Sequence, residues 1–252
     1  MPALIVFLHA RWNFDYQRPQ QLLSRLARNF PVIFIEEPVP NARYDLFECL
    51  APAPHVEVIR PHSIHSAAGF HDDHLPALQT HLAAFLRERG IDDYFVWLSN
   101  PMAVPLVHDL LPRAIIYYCM DALLALNTAS SQFIQRENAI YHMADLVLTD
   151  SASLYEEKRQ RHINVHCFPS SVDKVLLEPD LKKTAAVGTS WDATADAIYA
   201  LIKALPDYGR DFDKSAQQPE INGTQIFEEM DEPVYSTAAL GTPSAGSTVS
   251  PV

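Results

Sequence analysis

Glycine and cysteine are scarce in this 252-residue sequence, which has seven glycines and three cysteines. It contains no Gly-x-Gly-x-x-Gly fingerprint, no Walker loop and no Gly-x-Ser-x-Gly elbow. These absences disfavour nicotinamide redox chemistry, ATP use by a P-loop and Ser/His/Asp hydrolysis. Three widely spaced cysteines exclude a disulfide scaffold and a Cys-x-x-Cys motif. No apolar run approaches the roughly 18–20 residues of a membrane span, and no secretory signal is evident, so we expect a cytoplasmic protein.

Positive charge is also scarce, because 19 Lys and Arg residues face 31 Asp and Glu residues, for a formal net charge of −12. Nucleic-acid and anionic-membrane binders need a cationic surface, so we expect no nucleic-acid partner. The acidity is densest in residues 206–252, which are otherwise small and polar without a sustained period. This composition predicts a disordered tail, with a short docked helix at Gln225–Met230 as the alternative.

Before the tail, apolar runs of strand length alternate with helical stripes. The predicted strands are Leu4–His9, Val32–Glu36, Val56–Ile59, Tyr94–Leu98, Ala114–Tyr118, Leu146–Thr149 and Val165–Phe168. The predicted helices are a first one from Arg18, then Leu75–Arg89, Met102–Leu111, Ser130–Met143 and Ser151–Arg161. The alternation predicts an α/β fold with a Rossmann-like, doubly wound and mostly parallel sheet.

Polar residues follow five of the predicted strands. These segments are His9–Arg18, Glu36–Glu37, Ser99–Asn100, Cys119–Asp121 and Asp150–Ser151. Each segment alone is also explained by helix capping or solvated side chains. Because parallel strands end at the same edge of a sheet, where ligands bind, the five together predict a cleft. Aromatic faces there can stack on sugar rings, while Arg, Asn and carboxylate groups bind hydroxyls or phosphate.

A histidine cluster comprising His62, His65, His71 and His74 lies in the long connection after the third predicted strand. Imidazoles beside carboxylates can bind zinc, but this segment lacks a regular period, so we favour a solvated loop and predict no metal site.

Four sets of residues resemble a known family in order and spacing. They are Phe14–Ala27 with Val32–Pro38, then Tyr117–Asp121, then Glu137 with Ala144–Lys158, and Phe168–Asp173. From about Leu4 to Asp173 the chain resembles bacterial GT-B glycosyltransferases of the family-1/family-4-like type. These include teichuronic-acid transferases and transferases found beside UDP-galactopyranose mutase.

The resemblance implies a particular domain layout. Residues 1–175 would be the N-terminal, acceptor-side domain, residues 176–205 a linker and a helix crossing back, and residues 206–252 the tail. The crossing helix would carry an apolar stripe of Trp191, Ala195, Ile198 and Ile202, with Thr189 or Ser190 as its cap. The donor domain would be missing between Val175 and Ala186. The family's Glu-x7-Glu donor motif has only a tail counterpart, Glu220 and Glu228, to which we assign no donor role.

The resemblance also implies a function, namely sugar transfer from a nucleotide sugar to an acceptor glycan or lipid-linked sugar in cell-surface polysaccharide synthesis. A chain without its donor domain would be weakly active or inactive alone, with peripheral inner-membrane attachment by analogy and no cofactor. Asp121 would lie at the reacting centre, and the acceptor-binding residues would be Arg11, Trp12, Gln17, Arg18, Glu37, Asn100 and Ser151. The alternative is a non-catalytic module that binds a protein partner or a second copy through the uncovered cleft face.

Overall fold

Eight strands form one sheet in the parts of the chain that this computed structural model describes, residues 1–13, 18–120, 130–169 and 190–206. The strands are β1 (Ala3–Phe7), β2 (Val32–Ile35), β3 (Leu46–Ala53), β4 (Val56–His62), β5 (Tyr94–Leu98), β6 (Ile115–Cys119), β7 (Leu146–Thr149) and β8 (Val165–Cys167). Their order across the sheet is β3-β4-β2-β1-β5-β6-β7-β8. Neighbouring strands are parallel throughout, except that β3 runs antiparallel to β4.

Helices connect the strands and cover the sheet. They are α1 (Arg18–Leu26), α2 (Leu75–Glu88), α3 (Val104–Val107), α4 (Ser131–Met143), α5 (Ala152–Lys158) and α6 (Trp191–Ala204). Short 3₁₀ turns at Asp72–His74 and Pro101–Ala103 precede α2 and α3.

Both faces of the sheet are buried, as a doubly wound fold requires. Alternate residues of β1 belong to two separate apolar clusters, with Ile5 and Phe7 in one and Leu4 and Val6 in the other. The first cluster is completed by side chains of α2, α3, α4 and α5, and the second by side chains of α1 and α6. The predicted α/β fold with a mostly parallel sheet is therefore confirmed.

Helix α6 lies against α1 on the second face. Its buried residues are Ala195, Ile198 and Ile202. Ser190 caps the helix, because its side chain accepts a hydrogen bond from the Ala193 amide. Trp191 is only half-buried, and the Arg18 guanidinium carbon lies 5.5 Å from its ring centre. Three of the four residues of the predicted stripe therefore join the core that α1 helps to form.

Two elements differ from the sequence-based expectation. Strand β3 was not predicted, because none of its side chains is buried and it contains Pro52, next to the register shift between Leu50 and Ala53. Helix α3 is a single turn, Val104–Val107, rather than Met102–Leu111. Pro105 lies in its first turn, and Pro101 begins the 3₁₀ turn before it, because proline is tolerated where no amide donor is needed.

Several predictions fall outside the described residues. These are the linker as far as residue 189, the tail beyond Pro206 with its alternative helix, the Glu220–Glu228 pair, and the site residues Gln17 and Asp121. Among the described helices, none combines the length and the apolar character needed to cross a bilayer.

Candidate functional site

The order of the strands reverses at β1. The chain runs from β1 to β2 on one side, whereas β5 pairs with the other side of β1. Sheets of this type bind ligands in the crevice at such a point, beyond the carboxyl ends of the strands. Glu37 follows β2, His9 follows β1 and Asn100 follows β5, so these residues lie at the expected edge.

Glu36 is fully buried at the end of β2 and accepts three hydrogen bonds. The donors are Arg11 Nη1 at 2.9 Å, Arg60 Nε at 2.7 Å and the Trp12 amide at 2.8 Å. Burial opposes ionisation of this carboxyl, but the three donors outweigh it and lower the pKa of Glu36. The carboxylate therefore holds Arg11, whose side chain remains 31% exposed, at the carboxyl edge of the sheet.

Glu37 has a different environment from its neighbour. Asn100 is 3% exposed, and its Nδ2 donates to Glu37 Oε1 at 2.8 Å while its Oδ1 accepts from the Met102 amide. Burial raises the pKa of Glu37 to about 7, and the nearby charge of Arg11 and the Asn100 hydrogen bond limit the rise. The Glu37–Asn100 contact spans the end of β1 and places a carboxyl that titrates near neutral pH beside the crevice.

A cavity of about 170 Å³ adjoins Glu37. Its lining residues come from the ends of β2 and β5, the loop after β4 and the start of α4, and are Glu37, Ala68, Gly69, Phe70, His71, Asn100, Met102, Ser130 and Phe133. Gly69 has a positive φ of +69°, and a Cβ there would lie 3.4 Å from Glu37 Oε1. A side chain at position 69 would therefore be in van der Waals contact with the Glu37 carboxyl.

His9 is a site residue to which the sequence analysis assigned no separate role. Its Nδ1 is buried and has no hydrogen-bond partner among the described residues. Burial lowers the pKa of His9, so a neutral imidazole lies between the ends of β2 and β5. Its place directly after a buried strand was the available signal.

Three predicted acceptor-binding residues make contacts within the protein. The Trp12 side chain packs edge-on against Phe34, with ring centres 5.2 Å apart, and is 6% exposed. Arg18 donates from Nε to the Tyr118 hydroxyl at 2.5 Å and from Nη2 to the Phe168 carbonyl. Ser151 caps α5 through a hydrogen bond from the Leu154 amide. Contact of these three residues with an acceptor remains a prediction.

A second cluster of buried polar side chains, Glu137, Lys158 and Tyr117, lies near the carboxyl end of β6. Lys158 Nζ donates to Glu137 Oε1 at 3.2 Å, and Tyr117 donates to the same oxygen at 2.9 Å. Burial raises the pKa of neighbouring Cys119 to about 12, which keeps its thiol protonated. These hydrogen bonds link α4 and α5 to strand β6, which precedes residue 121 in the sequence.

One member of the histidine cluster, His74, has a structural role. His74 is fully buried, with Nδ1 2.8 Å from Ser63 Oγ and Nε2 2.9 Å from the Ala67 carbonyl. No group of three His, Cys, Asp or Glu residues suited to a metal ion occurs in the described residues. His74 therefore holds the loop that carries Gly69.

A larger cavity, of about 660 Å³, lies at the opposite edge, beside the amino ends of the strands. It is bordered by Val32, Val56 and Gly90, and by the ion pair between Arg89 and Glu57. We favour the smaller cavity as the functional site, because ligands of parallel α/β sheets bind at the carboxyl edge.

Comparison with known proteins identifies the fold. No protein-family model and no curated protein sequence matches the chain. A structure of sucrose-phosphate synthase from Thermosynechococcus elongatus, whose name includes the segments 27–220 and 406–426, matches with a TM-score of 0.52 and 15% identity. The match covers 81% of this chain and 98% of that one.

Two longer structures are also similar. Sucrose-phosphate synthase from the same organism matches with a TM-score of 0.48 and 13% identity, over 67% of this chain and 48% of that chain. Trehalose-6-phosphate synthase from E. coli, bound with UDP-2-fluoro glucose, matches with a TM-score of 0.43 and 10% identity, over 80% of this chain and 54% of that chain. The chain thus spans about half the length of these two proteins. These neighbours are GT-B glycosyltransferases, and the chain shares the α/β fold of the first.

Proposed function

We propose that this chain is the acceptor-binding lobe of a GT-B glycosyltransferase that acts in the synthesis of cell-surface glycans. In the intact enzyme a second lobe would hold a nucleotide sugar, and the sugar would pass to a hydroxyl of an acceptor glycan or lipid-linked sugar. The observation that carries the proposal is the Glu37–Asn100 hydrogen bond across the end of β1, at the edge where such sheets bind ligands.

The residues at this edge suit a hydroxyl-bearing acceptor. Glu37 can accept a hydrogen bond from a hydroxyl and take up a proton near neutral pH, since burial raises its pKa to about 7. Arg11, held by Glu36, keeps part of its guanidinium exposed for an oxygen of the ligand. We assign acceptor binding to Arg11, Glu37 and Asn100. Asp121 at the reacting centre remains a prediction from the resemblance.

We also propose that the donor lobe is missing between residues 175 and 186. In the described residues, the strands form one sheet and α6 lies on α1. The similar sucrose-phosphate synthase structure supports this layout, because its name gives one long and one short segment that are far apart in number. A single lobe does not enclose a donor, exclude water or orient a leaving diphosphate.

A transfer assay tests this proposal. The chain is incubated with radiolabelled UDP- and GDP-sugars and a panel of glycan and lipid-linked acceptors, beside an intact two-lobed GT-B enzyme as positive control. We expect no product above background, because in the proposed layout the lobe that would bind the donor is missing. Rapid transfer that Glu37→Gln reduces would contradict the single-lobe proposal while supporting the site. Rapid transfer that Glu37→Gln leaves unchanged would contradict both.

A further inference from the structure

We propose that the cavity beside Glu37 is a subsite for one uncharged sugar ring, and that Gly69 keeps this subsite accessible. The inference rests on the proposed function, in which the acceptor is a sugar. To that function the inference adds the location at which one sugar ring binds, the requirement that this ring is uncharged, and the residue that controls access to the cavity.

The Glu37 carboxyl beside the cavity has a free hydrogen-bonding position. Asn100 occupies Oε1 of Glu37, whereas Oε2 has no hydrogen-bond partner among the described residues. A ligand hydroxyl that donates to Oε2 would therefore give the second oxygen of the carboxyl a hydrogen-bond partner. Ser130, which caps α4, places a second polar side chain at the same cavity.

The cavity lining also includes apolar side chains. Phe70 and Phe133 are each 1% exposed overall, and Met102 is a further apolar lining residue. A sugar ring has hydroxyls around its edge and C–H groups on its faces, so it matches a cavity lined by both polar and apolar groups. The cavity volume of about 170 Å³ is below the roughly 300–1,000 Å³ of sites for drug-sized ligands, so the cavity suits one ring rather than a longer glycan.

The charges around the cavity favour an uncharged ring. No lysine or arginine occurs among the lining residues, all of which belong to the described chain. Arg136 lies behind Met102, where its guanidinium is occupied by the Met102 carbonyl and by Asp72. Arg11 acts on Glu37 through its charge, but it is held by Glu36 and does not line the cavity. A phosphate or carboxylate on the ring would therefore face Glu37 with no lysine or arginine in the cavity lining to balance its charge.

Gly69 determines whether the ligand reaches Glu37. A methyl group at this position would lie 3.4 Å from Glu37 Oε1 and 3.7 Å from Oε2, in van der Waals contact with the carboxyl that the ligand would bind. Gly90 provides a matched control at the opposite edge of the sheet. It has a similar φ of +63°, but a Cβ there would meet no atom within 4 Å. Alanine therefore strains the backbone at both positions and narrows the Glu37 cavity only at Gly69.

The test measures binding of methyl glycosides and of glucose 6-phosphate to the whole chain by ligand-observed NMR. We expect a neutral methyl glycoside to bind, Gly69→Ala to weaken it by about tenfold or more, and Gly90→Ala to leave it within about twofold. Thermal melts should show similar destabilisation of the two variants. If Gly69→Ala does not fold, Ala68→Phe replaces it, because Ala68 is an exposed lining residue and a larger side chain there narrows the cavity.

The outcomes separate this inference from the proposed function. The subsite is overturned if the two glycine variants lose binding equally, or if neither variant loses binding. In both cases the proposal that the lobe binds a sugar still stands. Binding of glucose 6-phosphate without binding of any neutral glycoside also overturns the subsite alone. If no sugar in the panel binds the unmodified chain, both the subsite and the acceptor-lobe proposal fail.

Discussion

Glu36 and Glu37 are adjacent carboxyl groups with opposite protonation behaviour. Three N–H donors surround Glu36 and lower its pKa, whereas Glu37 has one donor and a larger effect of burial that raises its pKa to about 7. Their surroundings come from residues that are distant in sequence, such as Arg60 and Asn100. At the residue scale, the side chains at the strand ends were predictable, but their charge states were not.

The protonation of Glu37 predicts how stability depends on pH. The folded chain keeps the Glu37 proton up to about pH 7, whereas the unfolded chain loses it near the ordinary value of 4.5. Between these values the folded state binds more protons, so the free energy of unfolding contributed by Glu37 falls as pH rises. We expect the loss to be about 1–3 kcal/mol, and Glu37→Gln to abolish it.

Denaturant unfolding at about pH 5 and about pH 8 measures this effect, with Glu88→Gln on exposed helix surface as the control. The pH dependence of the free energy of unfolding is compared between the chain and its Glu37→Gln variant. The difference between the two cancels the contributions of other titrating groups, including His9. Parallel pH dependence in the two proteins would contradict a raised pKa at Glu37.

Residue type alone does not decide the role of a side chain that is both polar and apolar. The resemblance assigned Trp12 and Arg18 to the acceptor, where aromatic and guanidinium groups can bind a sugar, and this stays a prediction. In the folded chain the Trp12 side chain packs on Phe34, and Arg18 hydrogen-bonds with Tyr118. Such groups satisfy their polar atoms from within the protein as readily as from a ligand, and the sequence alone does not distinguish the two cases.

At the scale of elements, buried strands were predictable because they form continuous apolar runs, as in β1 and β5. Strand β3 lies at the edge of the sheet, where it pairs with β4, and it has no such run because none of its side chains is fully buried. Helix α6 was predictable from its stripe, but its position on α1 depends on packing that local periodicity does not contain.

Helix α6 is expected to be part of the folding unit. Ile198 is fully buried in the same cluster as Leu22 and Leu26 of α1. We expect Ile198→Ala to lower the free energy of unfolding by about 2–5 kcal/mol, because the substitution leaves a cavity between the helices. The control is Asp196→Ala on the exposed side of the same helix, which should change stability little. Calorimetry that finds the two variants equally stable would show that α6 is dispensable.

At the scale of the whole molecule, strand order decides where the site lies. The alternating pattern predicted a parallel sheet, but the sequence did not show that β1 lies between β2 and β5. That order brings Glu37 and Asn100 together although they are 63 residues apart. It also separates the carboxyl-edge cavity from the larger cavity near Gly90.

Amide chemical-shift mapping tests the central claim most directly, because it reports which edge of the sheet a sugar contacts. The chain is titrated with the methyl glycoside that binds it, and the perturbed amides are assigned. We expect the shifts to concentrate at Arg11, Glu37, Gly69 and Asn100, at the carboxyl ends of the strands. Shifts concentrated at Val32, Val56 and Gly90, on the opposite edge, would contradict an acceptor site at the end of β1.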